Sequence, residues 1–142
     1  MKILMAILLL LPAVSFAKAA KAHPKPRAAA VQRNDAYGFN LIVNMGAKRS
    51  WYKVWQDKGG KFYAASTGGK PTVGVLSDQH FFYLNFQSRQ VASMPATSIK
   101  SCPKSNIMLA KGTKVIRAAC LDSKNQTTAK MTELATMMTM LQ

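Results

Sequence analysis

Residues 51–65 read WYKVWQDKGGKFYAA, and this stretch decides the fold because it encodes a complete β-hairpin. Large side chains alternate along residues 51–56 with the two-residue period of a strand. Residues 57–60, DKGG, are a strong turn signal, and residues 61–65 supply the partner strand. We therefore expect an antiparallel sheet built around this hairpin.

The alternation also assigns the hairpin side chains to faces. Trp51, Lys53 and Trp55 share one face of the first strand. Tyr52 and Val54 lie on the other. Because Lys53 shares its face with both indoles, we expect either that the rings are partly exposed or that the lysine extends along them.

Apolar and β-branched runs on both sides of the hairpin predict further strands. Residues 80–87 contain six apolar residues, which leaves little room for a solvent-facing side, so we expect the central strand there. The other predicted strands are residues 39–45, 72–76, an edge strand at 90–94, a weaker run at 107–110, and 113–121.

The chain ends in an amphipathic segment. Residues 126–140 carry an apolar stripe at helical spacing, formed by Met131, Leu134, Ala135 and Met138. The fold class that we predict is mainly β (α+β), with a small antiparallel sheet or partly open barrel and one C-terminal helix docked on it.

The N-terminal third has the pattern of an exported protein. Lys2 precedes an uninterrupted apolar run that Pro12 ends, with small residues following. The whole apolar stretch, residues 3–16, has 14 residues and is shorter than the roughly 20 that a membrane span needs. We predict a cleavable signal peptide at 1–19, cut after Ala17 or Ala19, a disordered basic Ala/Pro/Lys tail at 20–34, and one domain at 35–142. The protein should be periplasmic or secreted, with no transmembrane segment after cleavage.

Cysteine usage fits that compartment. The chain contains two cysteines, Cys102 and Cys120. An even count in a small exported protein predicts a disulfide rather than a metal site or a nucleophile. Closing a loop of about 19 residues would stabilise the fold by roughly 3 kcal/mol.

Charge points to a polyanionic partner. The chain has 20 basic and 5 acidic side chains, a formal net charge of +15. Such a field favours nucleic acid, acidic envelope polymers or anionic lipid head groups. Export argues against cytoplasmic nucleic acid, so we expect a partner outside the cytoplasm.

The strongest candidate binding surface is the hairpin region, where basic and aromatic residues interleave. Cations hold anionic groups, and exposed aromatic faces stack on bases or sugars. The alternative is a hairpin whose aromatic rings face the core and whose lysines are solvated. The candidate binding residues are Lys48, Arg49, Trp51, Lys53, Trp55, Lys58 and Lys61.

The predicted domain contains few residues suited to acid–base catalysis. His80 is the one histidine of the predicted domain, and Asp78 lies two residues earlier. These two with Arg89 could handle a proton and an anion, but an isolated histidine in an apolar run is more often structural. We predict that the protein is not an enzyme and has no cofactor.

Thioethers on the C-terminal helix could ligate Cu(I). Methionine also fills cores readily, and the helix carries no histidine or cysteine to complete a site. We therefore predict no metal site. The methionines considered are Met131, Met137, Met138 and Met140.

These features predict an exported basic interaction module that binds a polyanionic or glycan surface of the envelope through the hairpin. The alternative is an inhibitor or accessory subunit of an acidic exported protein, with charge steering the encounter and aromatic side chains anchoring it.

Overall fold

Residues 38–142 are described by the computed structural model, and in this range six antiparallel strands form one open sheet with two helices packed on one face. The elements are β1 (Gly38–Met45), β2 (Lys48–Asp57), β3 (Gly60–Ser66), β4 (Thr72–Val75), α1 (Asp78–Ser93), β5 (Ser105–Lys111), β6 (Lys114–Cys120) and α2 (Gln126–Thr139). The predicted signal peptide, the tail and the first residues of the predicted domain lie outside the described residues.

The predicted hairpin is present as β2 and β3. Trp55 pairs with Phe62 across it, and Lys58 and Gly59 form the connecting loop. The Asp57 carboxylate accepts a hydrogen bond from the Gly59 N–H at 2.7 Å, which stabilises the turn. The strand order is β4-β3-β2-β1-β5-β6, so β1 and β2 are central.

One face of the sheet forms the core. Alternate side chains of β1 and β2 point to this face, and the helices cover them. Fully burying each large side chain contributes about 1.5–3 kcal/mol. The fully buried large apolar side chains are Leu41, Val54, Phe81, Val91, Ile107, Leu109, Met131, Leu134 and Met138.

The strands predicted at 80–87 and 90–94 are wrong, because both segments belong to the sixteen-residue helix α1. Phe81, Leu84 and Val91 recur at helical spacing and are buried on one side of it. The Ser77 hydroxyl caps the helix by accepting from the His80 N–H at 3.2 Å. Aromatic enrichment favoured a strand, but this spacing and cap favour a helix.

Helix α1 connects strands on opposite sides of the sheet. It carries the chain from the β4 edge to β5, which pairs with β1 on the far side of the hairpin. A helix of this length spans about 24 Å, and four strand spacings cover about 19 Å. The predicted class, a mainly β open sheet with a docked C-terminal helix, is confirmed, and α1 is a second helix that the sequence did not predict.

The remaining predicted strands correspond to β1, β4, β5 and β6, and the predicted C-terminal helix is α2. The end of α2 is fastened to the sheet, because the Tyr52 hydroxyl lies 2.9 Å from the Thr139 hydroxyl and the Tyr63 hydroxyl donates to the Leu141 carbonyl. Neither helix within residues 38–142 is long and apolar enough to cross a membrane.

The predicted disulfide is confirmed. Cys102 and Cys120 are bonded, with their Cα atoms 5.7 Å apart. The bond ties the loop before β5 to the last residue of β6, at one edge of the sheet. It therefore adds a covalent link to residues 94–104, the longest connection between elements in the described part of the chain.

Candidate binding surface

The sheet face opposite the helices is uncovered within residues 38–142, and we call it the open face. Strand alternation directs to it every second side chain of β1, β2 and β3, the ones that the helix-side core does not use. Its principal residues are Asn40, Ile42, Asn44, Arg49, Trp51, Lys53, Trp55, Phe62, Met108 and Val115.

Aromatic and cationic groups meet on this face. Trp55 and Phe62 stack with ring centroids 5.6 Å apart, and the Lys53 Nζ lies 5.5 Å from the Trp55 ring centroid. Trp51 and Trp55 are both partly exposed, whereas Tyr52 is buried on the other side. The aromatic residues of the hairpin are thus divided between the core and the open face.

A groove of about 400 Å³ lies on the open face between β2 and the β5–β6 turn. Arg49, Trp51 and Lys53 line one side of it. Asn40 lies in its lining as well and is held there, because its Nδ2 donates to the Gly112 carbonyl at 2.9 Å. This volume lies within the range of small-molecule sites.

The predicted binding residues do not all share this surface. Arg49, Trp51, Lys53 and Trp55 do, and these four come from one strand. Lys48, at the beginning of β2, and Lys58, in the β2–β3 loop, are exposed at opposite ends of that strand.

Lys61 lies on the helix side. Its Nζ is 2.7 Å from the Asp78 Oδ1 and 4.7 Å from the Phe82 ring centroid. Its side chain is only 14% exposed. This ion pair joins β3 to the first turn of α1, so the structure gives Lys61 a contact that the hairpin alone could not reveal.

Charge is distributed unequally between the two sides. The two ion pairs within residues 38–142, Lys61–Asp78 and Lys130–Glu133, both involve helix residues. The Glu133 carboxylate raises the pKa of Lys130, through its hydrogen bond to the ammonium and then through their attraction. On the open face, Arg49 is exposed and forms no ion pair with any described residue.

A second exposed surface lies on the helices. The sequence analysis did not predict it, because it assigned residues 80–87 to a strand. Phe82, Tyr83 and Phe86 of α1 are 55%, 48% and 56% exposed, and Met140 is 80% exposed. We call these four residues the helix patch. A helical projection from the Ser77 cap would have placed Phe82 and Phe86 together, off the buried side.

The residues considered for catalysis or metal binding are dispersed. Asp78 and His80 are both exposed in the first turn of α1, and Asp78 is paired with Lys61. Met131 and Met138 are fully buried in the core, whereas Met140 is exposed. Our expectations of no enzymatic activity, no cofactor and no metal site remain predictions.

Comparison with known proteins returned no match. No protein-family model matches this chain, and neither the curated proteins nor the solved structures gave a similar protein. The open face is therefore interpreted through its own geometry and chemistry.

Proposed function

We propose that this protein is an exported basic interaction module that binds a polyanionic or glycan surface of the cell envelope through the open face. The observation that carries the proposal is the row of partly exposed indoles and cations on β2. Trp51 and Trp55 offer flat apolar surfaces, and Lys53 lies between them in sequence on the same face. Such a row suits a polymer that alternates apolar faces and acid groups.

The charge distribution supports the same proposal. The chain carries a net charge of +15, and the described ion pairs engage lysines on the helix side. Arg49, which has no ion-pair partner among the described residues, adds a cation to the open face. A field of this sign raises the rate of encounter with an anionic polymer and orients the molecule on it.

Two observations support the proposal that the protein is exported. The N-terminal 19 residues have the pattern of a signal peptide. The disulfide between Cys102 and Cys120 is of a kind that persists in oxidising compartments. An envelope polymer is a polyanion that a protein in such a compartment meets.

A second candidate function is docking on an acidic exported protein, as an inhibitor or accessory subunit. The helix patch favours it, since protein interfaces are enriched in aromatic side chains and methionine. Phe82 and Phe86 would provide the anchors, and the net charge would steer the encounter.

Retention on a heparin column over a salt series tests the proposed function. We expect the purified protein to elute well above physiological salt, because each cation–anion contact adds to the salt dependence of binding. The variant Arg49→Gln/Lys53→Gln should elute at lower salt. Trp51→Ala should weaken binding with little change in the salt slope.

The control removes the same charge elsewhere. Lys100 and Lys124 are exposed and lie in the α1–β5 and β6–α2 connections, so Lys100→Gln/Lys124→Gln should shift elution much less. Equal shifts for the two double variants would show that net charge alone drives retention. Elution of the unaltered protein near physiological salt would refute the proposal. A complex with an acidic exported protein that Phe82→Ser abolishes would favour the second candidate.

A further inference from the structure

Strand β1 places two asparagines on the open face whose amide orientations are fixed by the fold. The Asn40 Nδ2 donates to the Gly112 carbonyl at 2.9 Å. The Asn44 Nδ2 donates to the Asn106 Oδ1 at 2.9 Å. Asn106 is itself oriented, because its Nδ2 donates to the carbonyls of Cys102 and Pro103. These bonds assign nitrogen and oxygen in each amide.

The two side-chain oxygens are consequently left as acceptors. No described residue donates a hydrogen bond to the Oδ1 of Asn40 or of Asn44. No buried side-chain polar atom in residues 38–142 lacks a partner, so both oxygens must reach solvent. Four residues of strand separate the two side chains by about 13 Å.

A surface that presents both hydrogen-bond acceptors and cations selects a ligand that carries both donors and anionic groups. An acid group cannot satisfy an amide oxygen, since both are acceptors when the acid is ionised. A ligand that satisfies Asn40 must therefore bring a donor, such as a hydroxyl. Arg49, which shares the groove with Asn40, calls for an anion in the same ligand. The ligand must offer both groups within a groove of about 400 Å³.

The third requirement comes from Trp51, whose partly exposed indole lines the same groove. An indole face stacks on a flat apolar surface, such as the C–H face of a sugar ring. An acidic peptide supplies the anion and can donate from its backbone N–H groups, but an oligoglutamate has no ring for the indole to cover. An acidic sugar unit supplies all three.

We propose that the groove beside Trp51 binds an acidic sugar unit of a glycan. The indole stacks on the sugar ring, Arg49 pairs with its acid group, and the Asn40 Oδ1 accepts from a ring hydroxyl. Asn44, which pairs with Arg49 across β1 and β2, accepts from the next part of the polymer. This inference rests on the proposed function and specifies its ligand.

Calorimetric titration of the purified protein with three probes tests it. The probes are oligogalacturonate, oligoglutamate with an equal number of carboxylates, and single-stranded oligothymidylate of equal charge. We expect oligogalacturonate to bind at least about tenfold more tightly than oligoglutamate, as two or more added contacts would produce. We also expect it to bind more tightly than oligothymidylate.

The variants separate hydroxyl recognition from charge. Asn40→Leu should weaken oligogalacturonate binding about fivefold and leave oligoglutamate binding unchanged. Arg49→Gln should weaken both. Lys124→Gln removes the same charge from the exposed connection between β6 and α2 and should change neither appreciably. Asn44→Leu repeats the test if Asn40→Leu fails to fold.

The outcomes distinguish this inference from the function on which it rests. Equal affinity for oligogalacturonate and oligoglutamate, or an equal loss for both on Asn40→Leu, would overturn the sugar assignment while leaving a polyanion-binding module. Tighter binding of oligothymidylate would overturn it in favour of a nucleic acid. Failure to bind any of the three would overturn the proposed function as well.

Discussion

The two faces of the sheet are built from the same strands and have opposite properties. On the helix side, Leu41 is fully buried and Lys61 is paired with Asp78. On the open face, the next residue along β1, Ile42, is only partly buried, and Arg49 has no described ion-pair partner. On β1 and β2, one side of each strand therefore packs in the core, and the other is partly exposed.

Alternate residues of a strand face opposite sides of the sheet, so substitutions at neighbouring positions should have different effects. A change on the helix side removes packing and lowers the free energy of unfolding. A change on the open face alters the surface that a ligand would meet and should cost little stability. The following substitutions test that separation, beginning with the largest expected effect.

Leu41→Ala and Ile42→Ala are the sharpest pair, because the residues are neighbours on β1. Leu41→Ala should lower the free energy of unfolding by about 4 kcal/mol, through lost burial and the cavity left in the core. Ile42→Ala should cost less than about 1 kcal/mol, since its surroundings are open. Urea unfolding followed by tryptophan fluorescence measures both, and similar losses would mean that the open face is covered in solution.

Removal of the disulfide should have the next largest effect. Cys102→Ser/Cys120→Ser frees a loop with a sequence separation of 18 and should cost about 3 kcal/mol. The bond lies at the β6 edge, so the indoles of the hairpin should keep their native fluorescence in the folded variant. A changed native emission spectrum would show that the bond also shapes the open face.

The cap of α1 tests whether this helix covers the sheet as described. Ser77→Ala removes the acceptor for the His80 N–H and should cost about 1 kcal/mol. Amide exchange should accelerate first in α1, measured by hydrogen–deuterium exchange. Ser77→Asp restores an acceptor and serves as the control. Unchanged exchange in α1 for Ser77→Ala would contradict the observed cap.

The smallest effect concerns the paired charges on the helix side. Glu133→Gln should return the pKa of Lys130 from its raised value toward the ordinary 10.5, measured by NMR titration of the side chain. Because the folded-state pKa is raised, the stabilisation is fully present below the ordinary value and is lost as pH rises through the raised one. Both side chains are substantially exposed, so stability at neutral pH should hardly change. An unaltered Lys130 pKa in the variant would contradict the pairing.

Local sequence was sufficient for much of the fold. The DKGG turn between alternating strands gave the hairpin and the faces of Trp51 and Tyr52 correctly. The apolar stripe gave α2, and the compartment argument gave the disulfide. Each of these depends on residues near one another in the chain or on a property of the whole composition.

The prediction from local sequence was wrong where one segment fits both a strand and a helix. The run from His80 to Gln87 is rich in aromatic residues, which favour strands, yet Phe81 and Leu84 also fit a helix that Ser77 caps. The helix prevails because α1 buries one side against the sheet. That gain depends on strands elsewhere in the chain, so a local reading of the run does not include it.

The candidate binding surface was also predicted only in part from the local sequence. The alternation of β2 by itself determined that Trp51, Lys53 and Trp55 share a face, because strand period is a property of the backbone. Only the tertiary structure decided that this is the face that α1 and α2 leave uncovered, since coverage by these helices depends on where they pack. It also decided that Lys61 pairs with Asp78, and that Asn40 and Arg49 line one groove. The ion pair joins residues 17 apart in different elements, and the groove requires the β5–β6 turn beside β1 and β2, so no local pattern encodes either.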